Sequence, residues 1–346
     1  MTPHAKRDRK FVVLEATAPP KGTTEYVDQV TAFADPAFEF LFLSARTAFR
    51  RADVFHVHWP ELIVRGRNTP ATIVRCLGLY ALLLLMRLRK TAIVRTLHNL
   101  QPHEPGSILE RWVVGRLERQ TDLFVRINPL TPVPHGPCVT IPHGHYRNCY
   151  ASHPKSPAVA GRIAFVGLIR PYKGVEQLIS AFRATRTPGL SLRIAGKPTD
   201  AMRAVVAGAT ESDPRISVRF GYLPDKDFVS EISAAELICL PYENVHNSGA
   251  LLAALSLNRP VLVKSTPTTR TLAEEVGPGW VHFFDDRITP NDIDHAIEVV
   301  RESPRTESPT LVARDWPTIG AKYSAAFRQA MRVAGQKPKP ARVSIL

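Results

Sequence analysis

Short apolar runs, many of them β-branched, alternate with amphipathic segments twice over in this chain, and that alternation leaves few folds open. In the first half the runs cover residues 11–15, 38–43, 54–58, 92–97, 123–127 and 139–142, with helices expected over 25–34, 70–89 and 108–120. In the second half strands are expected at 162–166, 191–195, 216–220, 237–240, 261–263 and 281–284. Helices are expected there at 174–184, 199–207, 225–233, 248–256, 270–276 and 290–301, with a last helix over 319–333. Strands this short and this apolar are buried on both faces, which means parallel sheets with helices on each side. The expected class is therefore α/β, with two Rossmann-like, doubly wound domains. Residues 150–160 lack periodicity and are rich in proline and small side chains, so the linker is expected there. The domains would be 1–150 and 161–315, followed by a C-terminal helix and loose tail over 316–346. Two such domains are expected to face a cleft at the carboxyl ends of their strands, where ligands of open α/β sheets bind.

Composition narrows the function classes. The 346 residues are 44% hydrophobic and 22% charged, values of a globular chain. The net charge of +14 is spread without a long basic tract, which argues against nucleic acid as a partner. A basic surface also suits anionic lipid headgroups or phosphorylated substrates. Four cysteines without a CxxC pair read as reduced thiols of a cytoplasmic protein. The apolar stretch at 11–14 is too short for a signal-peptide core. The segment 73–86, containing LGLYALLLLM, falls short of the about 18 apolar residues of a membrane span. Flanked by Arg75, Arg87, Arg89 and Lys90, it reads as a buried helix or as one that also rests on a membrane surface. Neither GxGxxG nor GxxxxGK[ST] occurs, so nicotinamide and P-loop chemistry have no direct support.

The densest signal lies at 161–196. A strand ends in Gly167, a loop carries Arg170 and Lys173, and Gly174 opens a helix. Two cations and the free N–H groups of a helix start suit a diphosphate, the group a nucleotide-sugar donor presents. A second cluster, Tyr242, Glu243, Asn247, Ser248, Gly249 and Ala250, lies between a strand and a helix. Ser248 has the chemistry of an N-cap there.

The stretches IAFVGLIRPYKGVEQLISAF and GYLPDKDFVSEISAAELICLPYENVHNSGALLAALSLNRPVLV resemble the donor half of GT-B glycosyltransferases of the family-four-like clan. HVHWPE, TLHNLQPHE and IPHGHY resemble, more narrowly, bacterial mannosyltransferases acting on polyprenyl-diphosphate glycolipids with GDP-mannose as donor. The resemblance covers roughly residues 10–330. It implies that Gly167, Arg170 and Lys173 cradle the diphosphate, that the N–H groups of Gly249 and Ala250 meet it, and that Glu243 lies near the donor. One position departs from the clan. Its retaining members carry two glutamates seven residues apart, and alignment on Pro260-Val261 puts Ala253 at the second. The β-mannosyltransferase-like group has small or apolar residues there and inverts, so inversion is expected.

Inversion needs a general base near the acceptor hydroxyl. Three expected strand ends carry candidates: His56, His58 and Glu61; His98, Asn99, His103 and Glu104; His143 and His145. Glu61 and Glu104 are favoured, and His58 or His98 can fill the role at a near-neutral pKa. His56 and His58 share a face, so one of them can be a packed core histidine. The His-x-His spacings permit zinc, yet GT-B enzymes need no metal, so none is expected. Asp225-Lys226-Asp227 and Asp292-Ile293-Asp294 match a metal-binding Asp-x-Asp string but fall in first helical turns, where acids complement the dipole. The loop with Lys21, Gly22 and Thr23 permits close backbone approach and is expected on the acceptor side.

The expected function is transfer of a sugar, mannose from GDP-mannose, to a hydroxyl of a membrane glycolipid or growing polysaccharide. The expected location is the cytoplasm, peripheral on the inner face of the cell membrane. The rivals are a UDP-sugar-dependent enzyme of the same fold and a non-catalytic GT-B-shaped binding subunit.

Overall fold

The computed structural model describes residues 10–19, 26–98, 106–243 and 247–336. In chain order the first elements are β1 (Phe11–Glu15), α1 (Tyr26–Phe33), β2 (Phe38–Phe42), β3 (Val54–Val57), α2 (Pro60–Val64) and α3 (Thr69–Arg89). They continue with β4 (Ala92–Leu97), α4 (Ile108–Gln120), β5 (Leu123–Arg126), β6 (Cys138–Thr140) and α5 (Arg147–Tyr150). Then come β7 (Arg162–Val166), α6 (Val175–Arg183), β8 (Ser191–Gly196), α7 (Asp200–Glu211), β9 (Ile216–Phe220) and α8 (Asp225–Ser233). The chain ends with β10 (Leu237–Leu240), α9 (Gly249–Ser256), β11 (Val261–Lys264), α10 (Pro267–Val276), β12 (Val281–Phe284), α11 (Pro290–Glu302) and α12 (Trp316–Gln336). The strands expected from sequence all form, with ends shifted by a residue or two. The very short helices α2 and α5 escaped the sequence reading, because four or five residues cannot display a helical period.

Two compact units result: Met1–Gly144 with Ala313–Leu346, and His145–Val312. The break falls earlier than the expected linker. Residues 150–160 belong to the second unit because they are tied to α8 and its end: Ser156 N–H donates to the Ser233 hydroxyl (2.8 Å) and Val159 N–H to the Ala234 carbonyl (2.9 Å).

The first unit holds a six-stranded parallel sheet in the order β2-β1-β3-β4-β5-β6. Its two faces follow the two-residue period of a strand. Val13, Val54, Val94 and Val125 point to one core, and Leu14, Phe55 and Ile93 to the other. The second core is closed by α3 and α4 through Leu79, Leu83, Met86, Val113 and Leu117. The first is closed by α1 and by the last helix of the chain. Trp316, Ile319, Tyr323, Phe327 and Ala330 lie three or four residues apart on α12 and are all fully buried in that core. The C-terminal helix is thus part of the N-terminal unit rather than an appendage to the second. Gly320 lets it approach α1, since a Cβ there would stand 1.9 Å from the Phe33 carbonyl oxygen.

The second unit repeats the architecture in the order β12-β11-β10-β7-β8-β9, again all parallel. Both Asp-x-Asp strings do serve helix starts. Asp227 pairs with Arg219 (2.6 Å) in the first turn of α8, and Asp292 completes a capping box with Thr289 on α11. Asp294 accepts the backbone N–H groups of Arg186 and Thr187.

Candidate active site

Each sheet has one point where strand order reverses, and at both of them polar side chains collect. In the second unit the chain leaves β7 toward β8 and β9 on one side and returns through β10 on the other. The loops after β7 and β10 therefore meet at the carboxyl edge, the ligand position of a doubly wound sheet. Gly174, in the left-handed region (φ 65°), lies so close to the second loop that a Cβ would stand 2.1 Å from the Pro241 carbonyl oxygen. A similar Cβ at Gly196 would stand 1.6 Å from the Gly167 carbonyl oxygen. These contacts admit only glycine, and they fix where the cations emerge.

Lys173 ends a single 3-10 turn, Pro171–Lys173. Its ammonium donates to the Tyr242 hydroxyl (3.2 Å) and sits 4.6 Å from the centroid of the Tyr242 ring. Burial, and then the neighbouring Arg170, push Lys173 down to about 8. Arg170 donates to the carbonyls of Ile169 and Lys197, both at 2.9 Å. Ser248 is the N-cap of α9 and accepts the Leu251 N–H (3.2 Å). Gly249 and Ala250 occupy the first turn, where N–H groups have no intrahelical acceptor. Glu243 is exposed, and Asn247 is half-buried next to the cap. Ala253, which the sequence alignment set at the second glutamate of the retaining members, is buried on α9.

In the first unit the reversal falls between β1 and β3, and Glu15 pairs in register with His56. The period of two places a polar residue two positions beyond each buried valine: Glu15 after Val13, His56 after Val54, Thr96 after Val94. His58 and His98 extend two of these rows by one more step. Glu15 Oε1 accepts from His56 Nδ1 (2.8 Å), and His56 Nε2 meets the Thr96 hydroxyl (2.8 Å). The Thr96 hydroxyl lies 3.1 Å from that of Tyr323, which lies 2.8 Å from that of Tyr26. On the other side of the carboxylate, His58 Nε2 is 3.3 Å from Glu15 Oε2, and His58 Nδ1 is 2.9 Å from His98 Nε2. His143 joins the group through Tyr26, whose ring centroid is 4.7 Å from that of His143 and 5.0 Å from that of His98.

The electrostatics follow from burial. Burial raises the Glu15 carboxyl, but the imidazoles of His56 and His58 outweigh it and hold the group at about 2. Burial drives His58 to about 4, with His56 adding to it and Glu15 opposing. Burial also drives His143 to about 4, helped by Arg314, and holds His98 well below its usual range, with His58, His143 and His56 contributing. Near neutral pH Glu15 is thus a buried anion, and His58, His98 and His143 are neutral imidazoles. Among the described residues Glu15, His56 and His58 have ligand-type atoms within 4.8 Å of one another. Both nitrogens of His56 are already engaged by Glu15 and Thr96, so this geometry is that of a hydrogen-bond network.

The family profile for Glycosyl transferases group 1 matches residues 160–298. A GDP-mannose:glycolipid 4-beta-D-mannosyltransferase of Xanthomonas campestris pv. campestris is 39% identical over 96% of this chain and 95% of its own length. The chain belongs to the group 1 glycosyltransferases. Solved structures share its GT-B fold at low identity. Anabaena HepE, in complex with UDP and glucose, aligns with a TM-score of 0.56 at 14% identity, over 94% of this chain and 98% of its own. Sucrose-phosphate synthase from Thermosynechococcus elongatus aligns at 0.58 and 15%, over 95% and 97%.

In this glycosyltransferase the residues singled out from sequence divide into three groups. Gly167, Arg170, Lys173, Glu243, Asn247 and Ser248 lie on the two loops at one reversal point, with Gly249 and Ala250 in the first turn of α9 that follows. His58, His98 and His143 meet at the other. Glu61 does not join them: it sits half-buried in the first turn of α2, and its carboxylate makes no ion pair with a described residue. His145 lies in the second unit, where its Nδ1 accepts the Arg147 N–H (3.2 Å), so the His-x-His spacing at 143–145 does not make a pair. Glu104, Lys21, Gly22 and Thr23 lie outside the described residues. Glu15, Thr96, Tyr26 and Tyr323 were missed. An acid closing an apolar strand at Glu15 was the one signal available for the first of them.

Proposed function

We propose that this glycosyltransferase moves mannose from GDP-mannose to a hydroxyl of a membrane glycolipid, with inversion at the anomeric carbon. The relative of 39% identity carries that donor and a β-linkage in its name, and sugar in GDP-mannose is α-linked. The observation that carries the reading is Lys173 held against Tyr242 beside the Gly167 turn and the capped start of α9. Those groups suit a diphosphate, and charge that builds on it as the sugar leaves would be stabilised by Lys173 and Arg170. The acceptor oxygen attacks C1 opposite the diphosphate, the C1–O bond to phosphate breaks, and a base takes the hydroxyl proton. We assign that base to His98, the most accessible of the three histidines on β3 and β4 and just beyond them (8% against 2% for His58 and 0% for His56). No metal is assigned a role.

The glycolipid would be met at a membrane surface through α3. This helix of 21 residues is long and apolar enough to cross a bilayer by length and composition, which the sequence reading of 73–86 had not expected. One of its faces, Cys76, Leu79, Leu83 and Met86, is buried in the core. The other exposes Val74, Leu77 and Leu88 beside Arg75, Arg87 and Arg89. An apolar face with a basic border suits a helix lying in the interface of an anionic leaflet on the cytoplasmic side.

Thermal shift with GDP, UDP, GDP-mannose and UDP-glucose tests the donor. A ligand at 100 times its Kd adds about 2.7 kcal/mol of stability. GDP species are expected to raise the Tm and UDP species to leave it unchanged. Transfer to a polyprenyl-diphosphate-linked oligosaccharide, with the product anomer read by NMR, tests the rest. An α-linked product, or turnover with UDP-glucose alone, would refute the proposal.

A further inference from the structure

We propose that Tyr242 is a positioning residue: from the loop after β10, its hydroxyl and ring hold the Lys173 ammonium in place for the donor diphosphate. This rests on the reading of the loops after β7 and β10 as the donor site.

The two loops run past each other in opposite directions, residue against residue. The Glu243 N–H donates to the Tyr172 carbonyl (3.3 Å), and the Lys173 ammonium donates to the Tyr242 hydroxyl (3.2 Å). Gly174 follows against Pro241, whose carbonyl oxygen lies 2.1 Å from where a Cβ would stand. The backbone thus sets Tyr242 opposite Lys173. Tyr242 is 6% exposed, and its ring packs edge-on against the fully buried Phe165 of β7, with centroids 6.3 Å apart. The ring is therefore a post anchored in the core of the second unit, with its hydroxyl at the level of the loop.

Lys173 has use for such a post. A lysine stem is flexible, and fixing it costs rotamer entropy. Among the described residues the Tyr242 hydroxyl is the one acceptor its ammonium meets. The ammonium is nearer to that hydroxyl than to the ring centroid (3.2 Å against 4.6 Å), so the hydrogen bond is the main hold and the ring face a second one. An ammonium carries three donors, so this bond leaves others for a phosphate oxygen. Nζ also faces Gly167, 4.0 Å from where a Cβ there would stand, so no side chain from that turn covers it. Burial, opposed by Ser248 and aided by Tyr172 and Cys239, holds the Tyr242 phenol well above its usual range. The hydroxyl stays neutral while Lys173 titrates, and its oxygen can go on accepting. A positive charge is thereby oriented before the donor arrives, which is the form in which it stabilises a leaving diphosphate best.

The test is a double-mutant cycle of Tyr242→Phe and Lys173→Ala. It is read by calorimetry with GDP and with UDP, and by turnover of GDP-mannose with a polyprenyl-diphosphate-linked oligosaccharide. Phenylalanine keeps the ring against Phe165 and removes only the hydroxyl, so the melting temperature should not change. In Tyr242→Phe the Kd of the nucleotide that binds should weaken by about 10-fold at pH 7, and kcat should fall by a similar factor. In the Lys173→Ala background the same change should cost less than about 2-fold, because no ammonium is left to hold. The titratable groups acting on the pair are Arg170, for Lys173, and Tyr172 and Cys239, for Tyr242. All of them remain in Tyr242→Phe, while the ammonium loses its acceptor and becomes less favourable. The loss of nucleotide affinity on raising pH, centred at about 8 in the wild type, should therefore move to lower pH. Equal cost of Tyr242→Phe in both backgrounds would overturn the proposal, as would wild-type Kd and kcat in that variant. If Lys173→Ala binds nucleotide and turns over like the wild type, or if neither nucleotide binds the wild type, the donor reading fails and the proposal with it. If Lys173→Ala is impaired while Tyr242→Phe is silent, the donor site stands and the positioning role alone falls.

Discussion

The two sheets share one topology and put opposite chemistry at the same place. At the β7/β10 reversal of the second unit the backbone is glycine-rich, the side chains are cations, and helix α9 starts there with N–H groups to offer. At the β1/β3 reversal of the first, the side chains are one buried acid and a row of imidazoles under tyrosine hydroxyls. The first arrangement can hold an anion and stabilise growing negative charge. The second can hold and pass a proton. Strand order decides where a ligand can sit, and a handful of residues just past the strands decides what happens to it.

This contrast can be broken experimentally, beginning with the largest effect. Lys173→Ala is expected to lower transfer by about 10²–10³-fold, the scale for removing one group that stabilises transition-state charge, with the melting curve unchanged. Wild-type turnover in that variant would mean the cation loop is not the donor site. The second effect concerns stability. His58 and His143 are held at about 4 against an ordinary 6.5. Unfolded chain therefore binds protons between about 6.5 and about 4 that the folded unit refuses, and stability falls as pH drops through that window. Glu15, depressed to about 2, loses its contribution lower still. Hydrogen exchange at pH 4.5 against 7, corrected for intrinsic rates, should show the first unit opening on the order of 10³-fold more readily, and the second changing less. Equal change in both would remove the distinction.

Donor affinity provides a finer probe. Lys173 is charged below about 8 and loses its proton above it. The Kd for GDP should weaken by about 10-fold between pH 7 and 9.5, and Lys173→Arg, which stays charged, should flatten the dependence. A wild-type Kd flat over that range would show that the ammonium is not what the nucleotide meets. The smallest effect belongs to the outer face of α3. Leu77→Glu should reduce co-sedimentation with phosphatidylglycerol vesicles by a few-fold, with transfer to a short-chain soluble acceptor unaltered. Undiminished binding would place the membrane contact elsewhere.

The cation-bearing loop of the second unit was legible because its signals are local. Gly167, Arg170, Lys173 and Gly174 lie within eight residues, and a turn of that length must present them together. Ser248 was legible as a cap for the same reason, one residue before the first turn of α9. The histidines were legible as a set, since three strand ends carry them, but not as a network. Glu61 was favoured by its nearness in sequence to His58, yet the chain enters α2 at Pro60 and carries it away from the cluster. Glu15 drew no attention because its partners, His56 and His58, are 41 and 43 positions on, and only strand pairing makes them neighbours. The membership of α12 was hidden likewise: its stripe of buried residues announced a packed helix, but not which sheet it packs on.

Sequence by itself determined the α/β class, the two parallel sheets, the turn that gathers Arg170 and Lys173, and the family, because each rests on periodicity or on groups a few residues apart. Tertiary structure alone decided that Glu15, His56, Thr96, Tyr323 and Tyr26 form one hydrogen-bonded line. The physical reason is separation: the line joins strands β1, β3 and β4 to helices at opposite ends of the chain, and no local propensity encodes which side chain from a distant helix will cover a given strand end.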